Sequence, residues 1–242
     1  MYVVTFKILN WFLDLLFPVR CIFCGLLSAK PGYVCKRCLR SIPMRKSFSC
    51  IGCNKGARFG QTCFTCSKGY LVDHLFVVCD YKDERVKKMI KLYKYQFIEK
   101  LYYPLYILMF KYLCWLSRGR KFYIFENNPL IIPVPLSKYR LNWRGFNQAE
   151  LLAKELSDNT QFDFAKDLLV RDRSIPQADI DAREERLDNI KGQFRYVGSH
   201  LKGREIVLID DVCTTGATIN ECAKVLKENG AGKIYALVVA RG

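Results

Sequence analysis

No stretch of the 242-residue sequence stays apolar for the ~20 residues that a membrane-spanning helix requires. The amino terminus, MYVVTFKILNWFLDLLFP, is interrupted by Lys7, Asn10 and Asp14, and it lacks the basic start and small-residue cleavage site of a secretory leader. The run from Leu101 to Leu116 contains Pro104 and Lys111 and is also too short. Both read as helices that face a core or a partner, and membrane contact is left only at the periphery. Acidic residues are scarce as well: 23 Asp and Glu against 39 Lys and Arg leave a net charge of +16. Such a surface favours polyanions, whether nucleic acid, phosphorylated metabolites or an anionic membrane face. The plain alternative is a protein kept soluble by its lysines. Half of the residues are hydrophobic, so a sizeable core is expected and wholesale disorder is not.

Cysteine, by contrast, is abundant. Eight of the 12 form four Cys-x-x-Cys pairs within the first 66 residues. Disulfide frameworks have irregular spacings, whereas paired knuckles a dozen residues apart have the spacing of zinc sites and imply a reducing, cytosolic compartment. The simplest arrangement sets Cys21 and Cys24 against Cys35 and Cys38, and Cys50 and Cys53 against Cys63 and Cys66. An interleaved arrangement would use the same ligands. Four thiolates leave no open position, so one or two zinc ions here would be structural. Redox chemistry is the competing use of such pairs, but four repeats outside a thioredoxin-like context argue against it. Gly25, Gly32, Gly52 and Gly60 stand close by, where turns of this kind need positive φ. Cys79, Cys114, Cys213 and Cys222 fit no metal spacing and read as plain thiols.

Composition divides the chain into four stretches. Residues 1–17 suggest an amphipathic helix stopped at Pro18. Residues 18–68 have the Cys, Gly and Lys content of small metal-stapled modules. Residues 71–128 open with a strand, His74–Tyr81, followed by two helical stretches of which the second reaches about Arg118. The remainder alternates: strand Leu130–Pro133, helix Asn147–Leu156, strand Glu205–Ile209, helix Thr218–Asn229, strand Lys233–Ala240. Alternation of this kind predicts an α/β fold with a parallel sheet flanked by helices. Two units are expected, 1–68 with the amphipathic helix and cysteine module and 69–242 with the α/β domain. The arginine-rich segment 171–203 is polar and long enough to be functional or disordered.

The most informative segment is IVLIDDVCTTGAT. A short buried strand delivers Asp210 and Asp211 to its carboxyl end, where ligands bind in open α/β sheets. Thr214, Thr215, Gly216, Ala217 and Thr218 then lead straight into a helix. Small and hydroxylated residues let backbone N–H groups approach a phosphate, and the helix amino terminus adds favourable electrostatics. The acidic pair is spaced to accept ribose hydroxyls and could hold magnesium through water or through those hydroxyls. The alternative is a helix cap, with Thr214 or Thr215 satisfying amides and nothing bound. Upstream, IIPVPLSKYRLNWRGFNQAELLA stiffens a strand exit with Pro133 and Pro135 and concentrates Lys138, Arg140 and Arg144 beyond it. These suit a diphosphate or a nucleic-acid phosphate, against the alternative of solvated arginines. Gly145 permits a turn and Asn147 can cap the next helix.

These residues carry a resemblance. IVLIDDVCTTGAT resembles the phosphoribosyl-diphosphate signature of type I phosphoribosyltransferases. The order of cysteine knuckles, RGFNQAE, a Gln177…Arg186-x-x-Asn189…Phe194 segment and a closing phosphate loop is similar to the ComF family of competence proteins. Their architecture is an amino-terminal zinc ribbon with a phosphoribosyltransferase-like domain. The resemblance implies that Asp210 and Asp211 bind the ribose hydroxyls and act in any catalysis, and that Val212, Cys213 and Thr214 to Thr218 form the phosphoribosyl-binding segment. Lys138, Arg140, Arg144 and Arg186 would hold pyrophosphate or nucleic-acid phosphate. It implies phosphoribosyl diphosphate with magnesium as ligand, structural zinc, and single-stranded DNA as partner in natural transformation. A cytoplasmic place follows, peripheral to the membrane beside an uptake helicase or channel. An active phosphoribosyltransferase of nucleotide or cofactor salvage is the alternative; no segment after the phosphate loop offers a hood for a base, and residues 71–128 or the zinc module would have to supply one. A third possibility, a ligand-sensing regulator that binds duplex DNA, lacks a recognition helix.

For DNA contact, Tyr93, Tyr95, Tyr102, Tyr103 and Tyr106 interleave with Lys87, Lys88, Lys91, Lys94 and Lys100. At helical spacing, Met89, Leu92 and Tyr93 suit a core with the lysines facing water. Arg171, Arg173, Arg183 and Arg186 belong near the phosphate site. The zinc module is a further candidate surface.

Overall fold

A computed structural model describes residues 19–27, 33–118, 128–172 and 190–242. The helix expected over 1–17, and Gly32, Arg173, Gln177, Arg183, Arg186 and Asn189, lie outside the described residues. The strands are β1 (His74–Asp80), β2 (Leu130–Pro133), β3 (Leu169–Arg171), β4 (Phe194–Tyr196), β5 (Ile206–Cys213) and β6 (Ile234–Arg241). The described α-helices are α1 (Lys36–Arg40), α2 (Glu84–Tyr95), α3 (Tyr102–Arg118), α4 (Lys138–Arg144), α5 (Gln148–Thr160) and α6 (Ala217–Glu228).

β1, β6, β5 and β2 form one parallel sheet in that order. Successive strand residues point to opposite faces, and both faces are buried, which is why the strands read as continuous apolar runs. Phe76, Val78, Val207, Ile209, Leu237 and Val239 belong to the core layer that includes α2, α3 and α5. Leu75, Val77, Leu208, Ala236 and Val238 face the other layer, with Ile219, Cys222, Ala223 and Leu226 of α6. Neither outer edge of the sheet is bare. Arg45 N–H donates to Val78 O of β1 (2.8 Å), and Gln61 bridges His74. Along β2, Ile131 N–H donates to Asp163 O (2.8 Å) and Ala165 N–H to Ile131 O (3.0 Å).

Outside the cysteine module, three elements depart from the pattern that the sequence announces: α4, β3 and β4. Residues 138–144 form α4, which Ser137 caps by accepting the Arg140 N–H and which Gly145 ends at φ 79°. Within the polar segment 171–203, Phe194–Tyr196 makes β4, antiparallel to β3. Phe194 and Leu169 supply its apolar anchors, 5% and 2% exposed.

A buried cation adds a further tie between the cysteine-rich segment and the sheet. Arg241, 6% exposed, ends β6. Its guanidinium donates to Cys50 O (2.9 Å), Ile51 O (2.6 Å) and Ser49 Oγ (3.5 Å). A buried charge is tolerable only when its donors are used. Arg241→Met should lower stability by about 2–4 kcal/mol in urea unfolding, because it strands two buried carbonyls. A loss below about 0.5 kcal/mol would mean that the clasp is dispensable.

Candidate functional site

The cysteine module is one local structure built twice. Cys21 N–H donates to Leu26 O and Gly25 N–H to Cys21 O; Cys50 N–H donates to Lys55 O and Asn54 N–H to Cys50 O. The fourth residue after each leading cysteine is left-handed, Gly25 at φ 71° and Asn54 at φ 60°, residue types that accept this conformation. Gly52 has no positive φ and is small for another reason: a Cβ there would lie 2.8 Å from Cys66 Sγ. The sulfurs of Cys21, Cys24, Cys35 and Cys38 lie within 4.8 Å of one another, as do those of Cys50, Cys53, Cys63 and Cys66. The pairing is therefore sequential within each half. Cys24 and Cys35 Sγ are 3.7 Å apart and Cys53 and Cys63 Sγ 3.9 Å, close to the about 3.8 Å edge of a sulfur tetrahedron around zinc.

The chemistry of the donor set also fits zinc. Burial opposes ionisation of Cys21 and Cys50, but backbone N–H donors, including Cys35 and Cys63 at 3.4 Å, outweigh it and bring both thiols down to about 6. Cys38 and Cys66 are pushed up to about 12, first by burial and then by the neighbouring sulfurs. A cluster whose first thiolates form readily and whose last are opposed is completed by a dication. The two centres are four-cysteine zinc-ribbon sites, closed and structural.

At the other end of the molecule's chemistry, β5 runs four residues further than the sequence suggested, and the acidic pair lies within it. The two carboxylates are consequently not equivalent. Asp211, 4% exposed, lies on the α2 side of the sheet, where its Oδ1 is 2.7 Å from Lys94 Nζ. Burial works against the Lys94 charge, but Asp211 and then Asp210 outweigh it and raise the ammonium pKa. Asp210 Oδ1 accepts the N–H of Asp211 (2.8 Å), which holds its carboxylate against the strand backbone. Desolvation, then the adjacent Asp211 charge, pushes Asp210 up to about 7.

Of the two uses that the sequence left open for the loop beyond, the satisfying of an amide by Thr215 is the one with an observed contact. Thr215 Oγ1 accepts the Ala217 N–H (3.3 Å), so a cap is present. Gly216, at φ 82°, turns the chain into α6. The amides of the first helical turn have no intrahelical acceptor, and Thr214 is exposed beside them. Val212 and Thr218 are half-buried, while Cys213 and Ala217 are buried.

Arg144 is buried, not solvated: 8% exposed, it donates from Nη1 to Gln148 Oε1 (3.0 Å) and lies over the Tyr95 ring (5.8 Å). Among the described residues, its Nε and the Gln148 Nε2 have no hydrogen-bond partner. Arg171, also 8% exposed, donates from Nε and Nη2 to Gln193 Oε1 and lies over Phe194 (5.3 Å). Burial first, and then the Arg140 charge, lowers Arg171; burial also lowers Arg144, which Asp211 partly offsets. Arg140 is half-buried, Lys138 is exposed and Arg186 lies outside the described residues. Asn147 caps α5 as expected, accepting the Ala149 N–H (3.1 Å).

Lys94 departs from the sequence pattern, which sets it on a water-facing stripe; it pairs instead with Asp211. The signal for this is present: Val86, Ile90 and Lys94 follow one another at four-residue spacing, and the first two are buried. Part of the remaining stripe is core or locally paired, while Lys91, Tyr95 and Lys100 are exposed. Tyr93, Met89 and Tyr106 are buried, Lys87 pairs with Glu84 (3.2 Å) and Lys88 donates to Ile22 O (2.9 Å).

With this geometry established, comparisons with known proteins place the chain. Residues 12–67 match the double zinc ribbon domain and residues 142–242 the phosphoribosyl transferase domain. The chain is 29% identical over 231 residues to Competence protein F of Haemophilus influenzae, spanning 93% of this chain and 98% of that protein. It is 34% identical over 111 residues to DNA utilization protein YhgH of Escherichia coli strain K12, and 37% identical over 101 residues to Competence protein ComFC of Bacillus subtilis. These two matches span 46% and 42% of this chain, and 48% and 39% of the respective relatives. Fold and matches together define a double-zinc-ribbon protein with a phosphoribosyltransferase domain. Within that class the chain is similar to Competence protein F and ComFC, as the ComF resemblance leads one to expect. Among the described residues no helix is long and apolar enough to cross a membrane.

The raised Asp210 pKa has a definite sign. Between pH 4 and 7 the folded chain keeps a proton that the unfolded chain has lost, so stability falls as pH rises through that window. Asp210→Asn should therefore be more stable than wild type at pH 8 by about 1–3 kcal/mol, with the gap closing toward pH 4. Urea unfolding at both ends of the range tests this, and a gap of the same size at each would contradict it. Metal analysis should return one zinc for each of the two four-cysteine sets, and chelation should reduce stability.

Proposed function

We propose that the chain binds 5-phosphoribosyl 1-diphosphate together with single-stranded DNA and acts in internalising that DNA during natural transformation. The names of Competence protein F, ComFC and the DNA utilization protein support a role in competence. The phosphoribosyl transferase domain supports the ligand. The observation that carries the reading is a convergence at the carboxyl end of β5. Asp210 and Asp211, the Thr214–Thr218 turn and the cations Lys94, Arg140, Arg144 and Arg171 meet there.

In this reading the ribose hydroxyls approach the acidic pair and the 5-phosphate rests on the amides that open α6. Lys138, Arg140 and Arg144 take the diphosphate, with Arg186 as a further candidate. Asp210 is the carboxylate left for a hydroxyl or for the water shell of magnesium, because Lys94 already holds Asp211. Magnesium would neutralise the diphosphate oxygens.

An aromatic platform beside the same cations supports single-strand binding. Tyr95, Phe97, Tyr139 and Trp143 are 57%, 39%, 65% and 50% exposed. Trp143 meets Phe97 edge-on at 5.1 Å and Tyr95 at 6.3 Å. Exposed rings interleaved with Lys138, Arg140 and Arg144 are what base stacking with phosphate neutralisation requires. The site of action is the cytoplasm, at the membrane face beside an uptake helicase or channel. A second reading, an active salvage phosphoribosyltransferase, is favoured by the unpartnered Arg144 Nε and Gln148 Nε2, buried polar groups kept as if for a ligand.

Titration calorimetry with phosphoribosyl diphosphate and magnesium, on wild type and on Asp210→Ala/Asp211→Ala, tests the ligand site. Wild type should bind and the double variant should lose at least about tenfold in affinity. Repeating the titration with single-stranded DNA present tests coupling between the two ligands. Trp143→Ala should weaken DNA binding about tenfold in fluorescence anisotropy, since stacking contributes about 1–3 kcal/mol per base. Absence of ligand binding by folded, zinc-loaded wild type would refute the phosphoribosyl reading. Pyrophosphate released with any base acceptor would establish the salvage enzyme.

A further inference from the structure

The two cysteine knuckles are alike in sequence and geometry but have different neighbours. In the first, Cys21-Ile22-Phe23-Cys24, the Ile22 carbonyl accepts Lys88 Nζ of α2 (2.9 Å). In the second, Cys50-Ile51-Gly52-Cys53, the corresponding Ile51 is fully buried against the phosphate loop. A Cβ on Gly216 would lie 2.7 Å from Ile51 Cγ1 and 3.4 Å from Tyr70 Cε1. Tyr70, just past the last cysteine of that knuckle, also lines Gly52, where a Cβ would come 3.0 Å from its ring. Its hydroxyl donates to Thr215 O (3.1 Å). The following residues are clasped by α6: the Asn220 side chain accepts the Leu71 N–H (2.7 Å) and donates to Gly69 O (2.8 Å). Arg241 fixes the carbonyls of Cys50 and Ile51 from the opposite side.

One wall of the phosphate loop is therefore made of the second knuckle. That wall leaves no room for a Cβ on the left-handed Gly216, and Thr215 O is held by a group that is not part of the α/β sheet. We propose that the second four-cysteine knuckle is a positioning element of the phosphate loop. Ile51 and Tyr70 set Thr215 and Gly216 in the shape that receives a 5-phosphate, and ligand binding and zinc retention in that knuckle are thermodynamically linked. The inference rests on the phosphoribosyl reading of the loop. Linkage is reciprocal: if the intact knuckle favours ligand, ligand favours the intact knuckle by the same factor. The first knuckle, which bears on α2, has no such role.

The repeat provides its own control. Full-length, zinc-loaded wild type, Tyr70→Phe, Ile51→Ala and Ile22→Ala are titrated with ribose 5-phosphate. Zinc release to a chromogenic chelator is followed with and without that compound. Tyr70→Phe should weaken binding about three- to tenfold and Ile51→Ala about tenfold or more, with zinc content unchanged. Ile22→Ala should stay within about twofold of wild type. Ribose 5-phosphate should slow one of the two zinc-release phases in wild type and Ile22→Ala, and neither phase in the other two variants. Equal affinities across the series, with both release phases indifferent to ligand, would overturn the proposal. If wild type fails to bind, the phosphoribosyl reading falls and the linkage with it. Positioning is then decided by the Gly216 amide, whose resonance and hydrogen exchange should still change in Tyr70→Phe; an unchanged Gly216 amide sinks that too.

Discussion

A strand that carries two adjacent carboxylates into a protein interior must find positive charge for them. β5 does this at its carboxyl end, where Lys94 reaches Asp211 from α2. Much of the surrounding architecture follows from that requirement. α2 has to end where its last turn faces the sheet, so the four-residue row Val86, Ile90, Lys94 passes from apolar contact to an ion pair. Arg144 has to be buried near the same charges, so α4 stops there on a left-handed glycine and α5 restarts at the Asn147 cap. Breaking one partner of such a set is more costly than the pair is favourable, because the survivor is left desolvated.

The same requirement gives the two aspartates different chemistry. Asp211 has its cation inside the protein, whereas Asp210 is crowded by burial and by its neighbour. A group held uncomfortably in this way is relieved when a ligand brings hydroxyls or a hydrated cation to it. The raised Asp210 pKa costs the fold stability as pH rises above the ordinary carboxylate range. Zinc coordination lies at the other extreme, where the donor set is complete and only holds shape.

The sheet strands and the two longest helices were legible because they combine long apolar runs with clear punctuation at Pro133, Gly216 and Asn147. The cysteine centres were legible because ligand spacing is a local property. What escaped was decided by tertiary context. α4 is only seven residues long, and its polar, aromatic sequence reads equally well as a loop. β4 depends on Phe194 finding Arg171, and Tyr196 finding Leu169, across a long connection. Lys94 looked solvated because lysine almost always is, and only a partner 117 positions further along, Asp211, makes its burial tolerable. The expectation that Arg140 and Arg144 share one role also failed to capture their difference: one is half-buried, the other enclosed. The order of knuckles, RGFNQAE and phosphate loop pointed to the family, while the wall formed by Ile51 and Tyr70 has no motif at all.

The guarded edges of the sheet have a further consequence. Arg45 and Gln61 occupy the outer side of β1, and the 163–165 segment occupies that of β2. A four-stranded parallel sheet with bare edges would recruit strands from neighbouring molecules. With residues of both outer strands already hydrogen-bonded to other segments of the chain, the sheet presents less template for intermolecular β pairing when copies of the protein meet at high concentration.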